Sequence, residues 1–402
     1  MKVLEINSGN FGSTGNIMLD IAEKAKYCGI DVTVAFPKSR TSNKKKVENV
    51  IYTGGIVDHN IHRLLATITG KNGLYSKRAT VKFIRKVEEL NPDIIHFHNI
   101  HNFYLYIPYL LKYIKENNKK VMWTLHDCWP FTGKCVHYSL IKCKRWKTGC
   151  YECPQIRDYP EAIVDITREM WKQKKEWFTS IDNLTIVTPS RWLENQVKDS
   201  FLGNKRIETI YNGVDLRKFK YRNNKIKEQY GIPDNVYLIL GVAFDWGFRK
   251  GLDIFNMLSE RLPSNKYRIL LVGVTEEVKT NVNSSIITVA RTQNQEELSE
   301  FYSAADIFLN PTREEVFGLV NVEALACGTP GITFNSGGSP ECYDELSGEI
   351  VDDSIDEIVD SIISICETRR YNSQDCIERS KKFDKNLMVK QYIDLYKEIG
   401  ED

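Results

Sequence analysis

The sequence predicts an α/β protein of two domains, each a parallel sheet covered by helices. Three observations lead there. The chain has 402 residues, 42% strongly hydrophobic and 27% charged, a soluble globular composition at a length one core seldom serves. Short β-branched runs alternate with longer helical patterns through the first half, and a second alternating series begins near residue 236. Strand and helix taking turns is what parallel sheets with helical crossovers require.

In chain order, strands are expected at 2–6, 31–36, 93–97, 121–125 and 184–188, with helices at about 14–28, 76–90, 104–117, 162–180 and 190–201. The segment FYLYIPYLLKYIKENNKK, 103–120, suits a helix laid on a sheet, and a membrane-leaning helix is its alternative. The second series runs through VYLILGVA at 236–243, YRILLVGV at 267–274, ADIFLNP at 305–311 and PGITFN at 330–335. Residues 1–203 and 220–383 are therefore read as the two domains, with 204–219 as the linker that carries the Asn212-Gly213 turn signal.

Charge excludes little but narrows the partners. Fifty-five basic against 53 acidic residues leave a net charge of +2, which gives no electrostatic reason to propose nucleic acid. The run Lys44 to Lys46 is read as a solvated loop. No stretch approaches about 18 continuous apolar residues, and the amino terminus lacks the apolar region and cleavage context of a signal peptide. A cytoplasmic location is expected, with peripheral contact at the inner membrane face as its extension.

The most informative segment is PTREEVFGLVNVEALACGTPG, where Glu315 and Glu323 stand eight apart. One carboxylate falls on the loop that enters a short helix and the other on that helix, so one can meet the hydroxyls of a sugar and the other the ribose of its nucleotide. Glu314, beside the first, is expected to be solvated. Other candidates follow strands, where open α/β sheets bind ligands. SGNFGSTGN, 8–16, offers Gly9, Gly12 and Gly15 before a helix, although it matches neither G-x-G-x-x-G nor a P-loop; a tight packing turn is the other reading. In WGFRKGLD, 246–253, Arg249 and Lys250 precede a helix and suit a diphosphate leaving group. NSGGSPE, 335–341, presents Gly337 and Gly338 for backbone contact with phosphate, or is a plain turn.

His126 ends the VMWTL strand, where an imidazole can orient a sugar hydroxyl or serve as a structural hydrogen-bonding group. His96 and His98 share one face of a strand, so a shared metal is geometrically possible there, but no third ligand is evident in the sequence. His98, Asn99 and His101 are read as lining an acceptor groove, against ordinary strand-end bonding. Cys135, Cys143, Cys150 and Cys153 fall in KCVHYSLIKCKRWKTGCYECP. Structural zinc, paired disulfides and reduced loop thiols all fit that spacing, with Cys128 and His137 as substitute ligands.

Taken together, GNFGSTGN, TLHDCWPFTGKC, VTPSRWL, YNGVDLRKF, FRKGLD, ARTQNQEEL and EEVFGLVNVEALACGTPG resemble the family 4 retaining glycosyltransferases of GT-B fold. The likeness is to the branch of bacterial capsular, colanic-acid and surface-polysaccharide transferases, and it covers nearly the whole chain. It implies two Rossmann-like domains facing across a cleft, the first completed by a C-terminal helix at 384–402. The implied reaction transfers a sugar from a nucleotide diphosphate sugar to a hydroxyl of a glycan or lipid-linked glycan, with retained configuration and no catalytic metal or cofactor.

By that resemblance His126, Arg249, Lys250 and Glu315 carry catalysis. Gly12, Arg291, Gln295, Gly318, Leu319, Glu323, Gly337 and Gly338 bind the donor, and Gly15, His98, Asn99, His101 and Asp127 meet the acceptor. One departure stands out: where the family often has an arginine before the phosphate lysine, this chain has Phe244, so Arg249 or Arg291 is expected to supply that charge. A noncatalytic sugar-binding protein and a nucleotide-sugar hydrolase or phosphorylase are the competing classes.

Overall fold

The computed structural model describes residues 1–38 and 47–401; the run Lys44 to Lys46 lies outside the described residues. The chain divides into two compact units, Met1–Ile210 with Val389–Asp402, and Tyr211–Met388. The stretch expected as a linker thus gives its first half to the first unit, as a strand.

The first unit is built on seven parallel strands: β1 (Lys2–Ile6), β2 (Asp31–Phe36), β3 (Val50–Tyr52), β4 (Ile94–Phe97), β5 (Lys120–Thr124), β6 (Leu184–Thr188) and β7 (Arg206–Thr209), in the order β3-β2-β1-β4-β5-β6-β7. The second has six, β8 (Tyr237–Val242), β9 (Tyr267–Val272), β10 (Ile287–Val289), β11 (Ile307–Asn310), β12 (Gly331–Phe334) and β13 (Gly348–Val351), ordered β10-β9-β8-β11-β12-β13. All pairings in both sheets are parallel. Renumbered from its own first strand, the second sheet reads 3-2-1-4-5-6, the doubly wound Rossmann order, and the first reads the same with β7 as a seventh strand beyond β6. Helices cover the central strands on both faces, which is why those strands read as nearly unbroken apolar runs; Val3, Leu4, Ile6, Ile94, Ile95, Leu238, Ile239 and Leu240 are fully buried.

The order reverses between β1 and β4 in the first unit and between β8 and β11 in the second. At such a switch point the loops leaving the two strands diverge and open a crevice at their carboxyl ends. Helix Ile107–Glu116 buries Ile107, Leu110, Leu111, Tyr113 and Ile114, so the 103–120 segment packs as core. No helix among the described residues is long and apolar enough to cross a membrane. Helix Lys385–Glu401 returns to the first unit and buries Tyr392, Ile393, Tyr396 and Ile399 there.

Candidate functional site

In the second unit the loops after β8 and β11 meet. Lys250 Nζ lies 2.7 Å from Glu315 Oε2 and 3.4 Å from Thr312 Oγ1, so the two residues singled out from separate motifs form one half-buried ion pair. The turn that places Lys250 closes on Gly251 at φ +73, where a Cβ would stand 2.5 Å from the Pro311 carbonyl oxygen; only glycine lets the loops approach so closely. The loop after β12 locks on from the other side. Gly338 N–H donates to the Glu315 carbonyl at 3.1 Å, and a Cβ on Gly337, at φ +60, would overlap that oxygen. Glu315 Oε1 accepts from the Val316 amide at 3.1 Å. Gly318, at φ +93, then opens helix Leu319–Ala326, so Gly318 and Leu319 present the start of a helix beside these groups.

Glu323 is half-buried on that helix, with Tyr302 OH donating to its Oε2 at 2.9 Å. Removal from water pushes its carboxyl up to about 7, partly offset by the tyrosine bond. Arg291 and Gln295 are exposed near the start of helix Gln295–Ala304. The Arg291 guanidinium stands 6.0 Å from the Phe244 ring centroid, whereas Arg249 stands 3.9 Å from Asp245. Two features escaped the sequence reading. Arg313 pairs with both Asp253 oxygens at 2.8 Å and with Asp353 at 2.7 and 3.1 Å, and it donates to the Phe248 carbonyl at 2.6 Å, tying the lysine loop to the glutamate loop. Glu314, expected to be solvated, is buried at 3% exposure, because the tight loop turns it inward as Thr312 Oγ1 bonds its carbonyl.

In the first unit, Asn7 after β1 organises the glycine loop. Its Oδ1 accepts from the Ser8 and Asn99 amides, and its Nδ2 donates to the Gly9 carbonyl and Thr14 Oγ1. Gly12 starts helix Gly12–Tyr27 at φ +72, exposed and with open space where a Cβ would be. Gly15 differs: a Cβ there would sit 2.6 Å from the Asn10 carbonyl carbon, so its smallness serves packing of the loop rather than contact with an acceptor.

His126 is half-buried after β5. Burial and the nearby His98 push its imidazole down to about 3, so it works as a neutral ring that can donate and accept. His98 corrects the sequence reading: it is buried, and its Nδ1 bonds His126 Nε2 at 3.0 Å, so it stands behind His126 and does not line a groove. His101 and Asp127 are likewise buried and bond each other at 2.8 Å. Asp127 also accepts from the Trp129 amide; its bonds hold its carboxyl below the usual range despite burial. Both therefore shape the loop from within, leaving Asn99 half-buried at the surface of the crevice.

The third member of the His96–His98 group, which the sequence did not show, is Glu5: its carboxylate and the two imidazoles bring one ligand atom each within 4.8 Å of one another. The His96 nitrogens are, however, already engaged by Tyr396 OH at 2.6 Å and Thr124 Oγ1 at 2.8 Å. The four loop cysteines are free thiols and do not form such a gathered group. They are neighbours all the same. The Cys135 thiol hydrogen-bonds Cys153 and brings it down to about 7, and Cys150 Sγ accepts from the Gly133 amide at 3.1 Å. Beside them lie two buried lysines. Lys174 Nζ holds the Trp129 and Thr132 carbonyls and Lys134 Nζ the Gln155 and Asp158 carbonyls, and burial lowers both while the nearby thiols raise them.

Comparison with known proteins shows the family and the fold. A family profile described as "Glycosyltransferase Family 4" matches residues 14–218, and one described as "Glycosyl transferases group 1" matches 222–383. A putative colanic acid biosynthesis glycosyl transferase, WcaC of Escherichia coli, is 24% identical over 275 residues, which is 65% of this chain and 64% of that protein, less than two thirds of its length. A 41.2 kDa protein in the cps region of Klebsiella pneumoniae is 25% identical over 407 residues, 99% of each chain. Among solved structures, sucrose-phosphate synthase of Thermosynechococcus elongatus superposes with a TM-score of 0.73 at 18% identity, over 99% of this chain and 98% of that one. HepE of Anabaena, bound to UDP and glucose, gives 0.67 at 16% identity over 99% and 100%. These structural likenesses establish the two-unit GT-B fold.

Proposed function

Since the chain belongs to glycosyltransferase family 4, we propose that it transfers a sugar from a nucleotide diphosphate sugar to a hydroxyl of a glycan or lipid-linked glycan in bacterial surface-polysaccharide synthesis, with retention at the anomeric carbon. The observation that carries the reading is the Lys250–Glu315 pair, 2.7 Å apart where the order of the second sheet reverses. A cation and a carboxylate fixed together there match a ligand that is anionic on one side and rich in hydroxyls on the other. Lys250 meets the diphosphate as its bond to the sugar breaks, Glu315 binds sugar hydroxyls, and Glu323 binds the ribose diol. Arg291 is the better candidate for the missing family arginine, because its guanidinium lies by Phe244, the position where that arginine is absent.

Retention follows from substitution on one face. The bond from anomeric carbon to phosphate oxygen breaks, the acceptor oxygen bonds to the same face, and its proton passes to the departing phosphate. His126, neutral, orients the donor sugar. Lys250, Arg291 and backbone N–H groups supply the positive charge that the leaving group needs, so transfer proceeds without a metal.

The lipid-linked acceptor brings the protein to the cytoplasmic membrane face. Helix Ile56–Thr69 supports this: Val57, Ile61, Leu64 and Ile68 form one stripe, each 45 to 67% exposed, and residues 56–87 carry seven Lys or Arg against one Asp. Apolar side chains flanked by positive charge suit an anionic lipid surface. The test of the main reading is a turnover screen of several sugar nucleotides with and without membrane-extracted glycan acceptors. Sugar transferred only when acceptor is present supports it; donor bound without turnover, or sugar released to water or phosphate, replaces it with a binding protein, a hydrolase or a phosphorylase.

A further inference from the structure

The loops at the carboxyl edge of the first sheet carry a group of residues that donor chemistry does not use. Asn102 and Phe103, after β4, are consecutive residues in the left-handed region, at φ +83 and +64. That backbone is costly for a bulky residue and persists only where the surroundings impose it. Here Phe103 is buried among His59, His62 and Tyr159, while Asn102 stays half-buried at the surface. Tyr159 comes from the long loop after β5 and stands edge-on to Phe103, at 87° with ring centroids 6.3 Å apart. Its hydroxyl donates to Asn102 Oδ1 at 3.2 Å and lies 3.4 Å from His101 Nδ1. Tyr159 is 47% exposed, yet burial pushes its phenol up, so the hydroxyl is turned in and the ring is turned out. The loop beneath it is fixed. Buried Lys134 donates to the Gln155 and Asp158 carbonyls at 2.8 Å each, and the Ala162 amide closes on the Ile156 carbonyl at 2.9 Å.

Beside this ring two amides are open. With Oδ1 taken by Tyr159, the Asn102 amide nitrogen keeps both protons for a ligand. Asn99 engages its backbone amide with Asn7 and its carbonyl with Tyr104, and its side chain has no partner among the described residues. We propose that Asn99, Asn102 and Tyr159 form the subsite for a pyranose ring of the glycan acceptor and so select which acceptor is used. The apolar C–H face of a pyranose suits the electron-rich face of an aromatic ring, and its hydroxyls, each both donor and acceptor, pair with side-chain amides that offer both. A tyrosine on fixed backbone supplies that contact at little entropic cost. None of the three carries a charge, so the set fits a neutral sugar and not the phosphates of a nucleotide, whose cation is Lys250 in the second unit. That the sugar is an acceptor rests on the transferase reading; that the site takes a sugar does not.

The test uses full-length protein as wild type, Tyr159→Ala, Tyr159→Phe and Asn102→Asp, with initial rate measured against the concentration of membrane-extracted glycan acceptor and donor affinity measured by calorimetry. Asn102→Asp tolerates the left-handed turn and keeps an oxygen for Tyr159, removing only the amide donor. Tyr159→Ala should raise the half-saturating acceptor concentration about tenfold or more. Asn102→Asp should raise it as well, and Tyr159→Phe, which keeps the ring, should raise it less than Tyr159→Ala; donor affinity should stay the same in all three. An unchanged half-saturation in Tyr159→Ala overturns the inference. So does a donor affinity that falls with it, which would place a nucleobase on the ring. If wild type transfers sugar to no acceptor, the transferase reading fails, and the site is judged by saturation-transfer NMR with glycan fragments released from the same extract. A signal seen in wild type and lost in Tyr159→Ala upholds the sugar site, and no signal in wild type overturns it. The isosteric Asn102→Asp keeps the test decisive if Tyr159→Ala does not fold.

Discussion

Glu323 offers a quantitative test of the donor site through pH. Its carboxyl is pushed up to about 7 because half-burial disfavours its charge, and the Tyr302 hydroxyl only partly compensates. Ribose hydroxyls donate best to an ionised carboxylate, so donor binding must first deprotonate Glu323. With a midpoint of 7, about 90% of the protein is ready at pH 8 and about 10% at pH 6. Affinity for a nucleotide sugar should therefore fall about tenfold over those two units, equivalent to about 1.4 kcal/mol. The donor's diphosphate diester keeps its charge across this range, and His126, down at about 3, does not titrate in it. Isothermal calorimetry with a nucleotide sugar at half-unit steps from pH 5.5 to 8.5 reads the effect directly. Glu323→Gln should bind weakly and without pH dependence, and Tyr302→Phe should move the midpoint above 7 by removing the bond that lowers it. A wild-type affinity that is flat with pH, or a Gln variant as tight as wild type at pH 8, would refute a ribose contact at Glu323.

Four other outcomes are expected. Lys250→Ala removes the cation held by Glu315 and should lower kcat/KM by about a hundredfold or more; unchanged turnover would defeat its assignment. Arg313→Ala leaves Asp253 and Asp353 unpaired, and should cost about 2 kcal/mol after allowance for two partly exposed carboxylates, read as a lower denaturant midpoint with unchanged slope. Metal analysis should find no zinc held by the cysteine loop, whose four thiols do not gather at one point; one zinc per chain, lost in Cys150→Ser, would overturn that reading. Leu64→Glu, in the middle of the exposed stripe, should weaken binding to anionic lipid vesicles by about tenfold or more, while vesicle binding indifferent to this change would place any membrane contact elsewhere.

How legible the fold was depended on position in the sheet. The central strands were visible because helices bury both their faces, as with β1, where Val3 to Ile6 are all buried. The four strands the sequence reading passed over, β3, β7, β10 and β13, are the four edges. They are three or four residues long and mostly half-buried, so they carry no strong apolar run. Helix Ile56–Thr69 was missed for a related reason: its exposed stripe puts apolar residues where a packed helix shows polar ones.

The sequence by itself determined the α/β class, the two-domain plan and the placement of Lys250, Glu315, Glu323 and His126 just after strands or on a strand-following helix, because strand ends and glycine turns are local signals. Only the tertiary structure decided which candidates meet. Lys250 and Glu315 are 65 residues apart yet share one ion pair, Glu5 and Tyr396 are 391 apart yet share a hydrogen bond, and His98, Gly15, His101 and Asp127 turned out to face the interior. Those outcomes depend on strand order and register, which bring distant residues together on and after the central strands, and on burial, which sets protonation; neither is encoded in the spacing of residues along the chain.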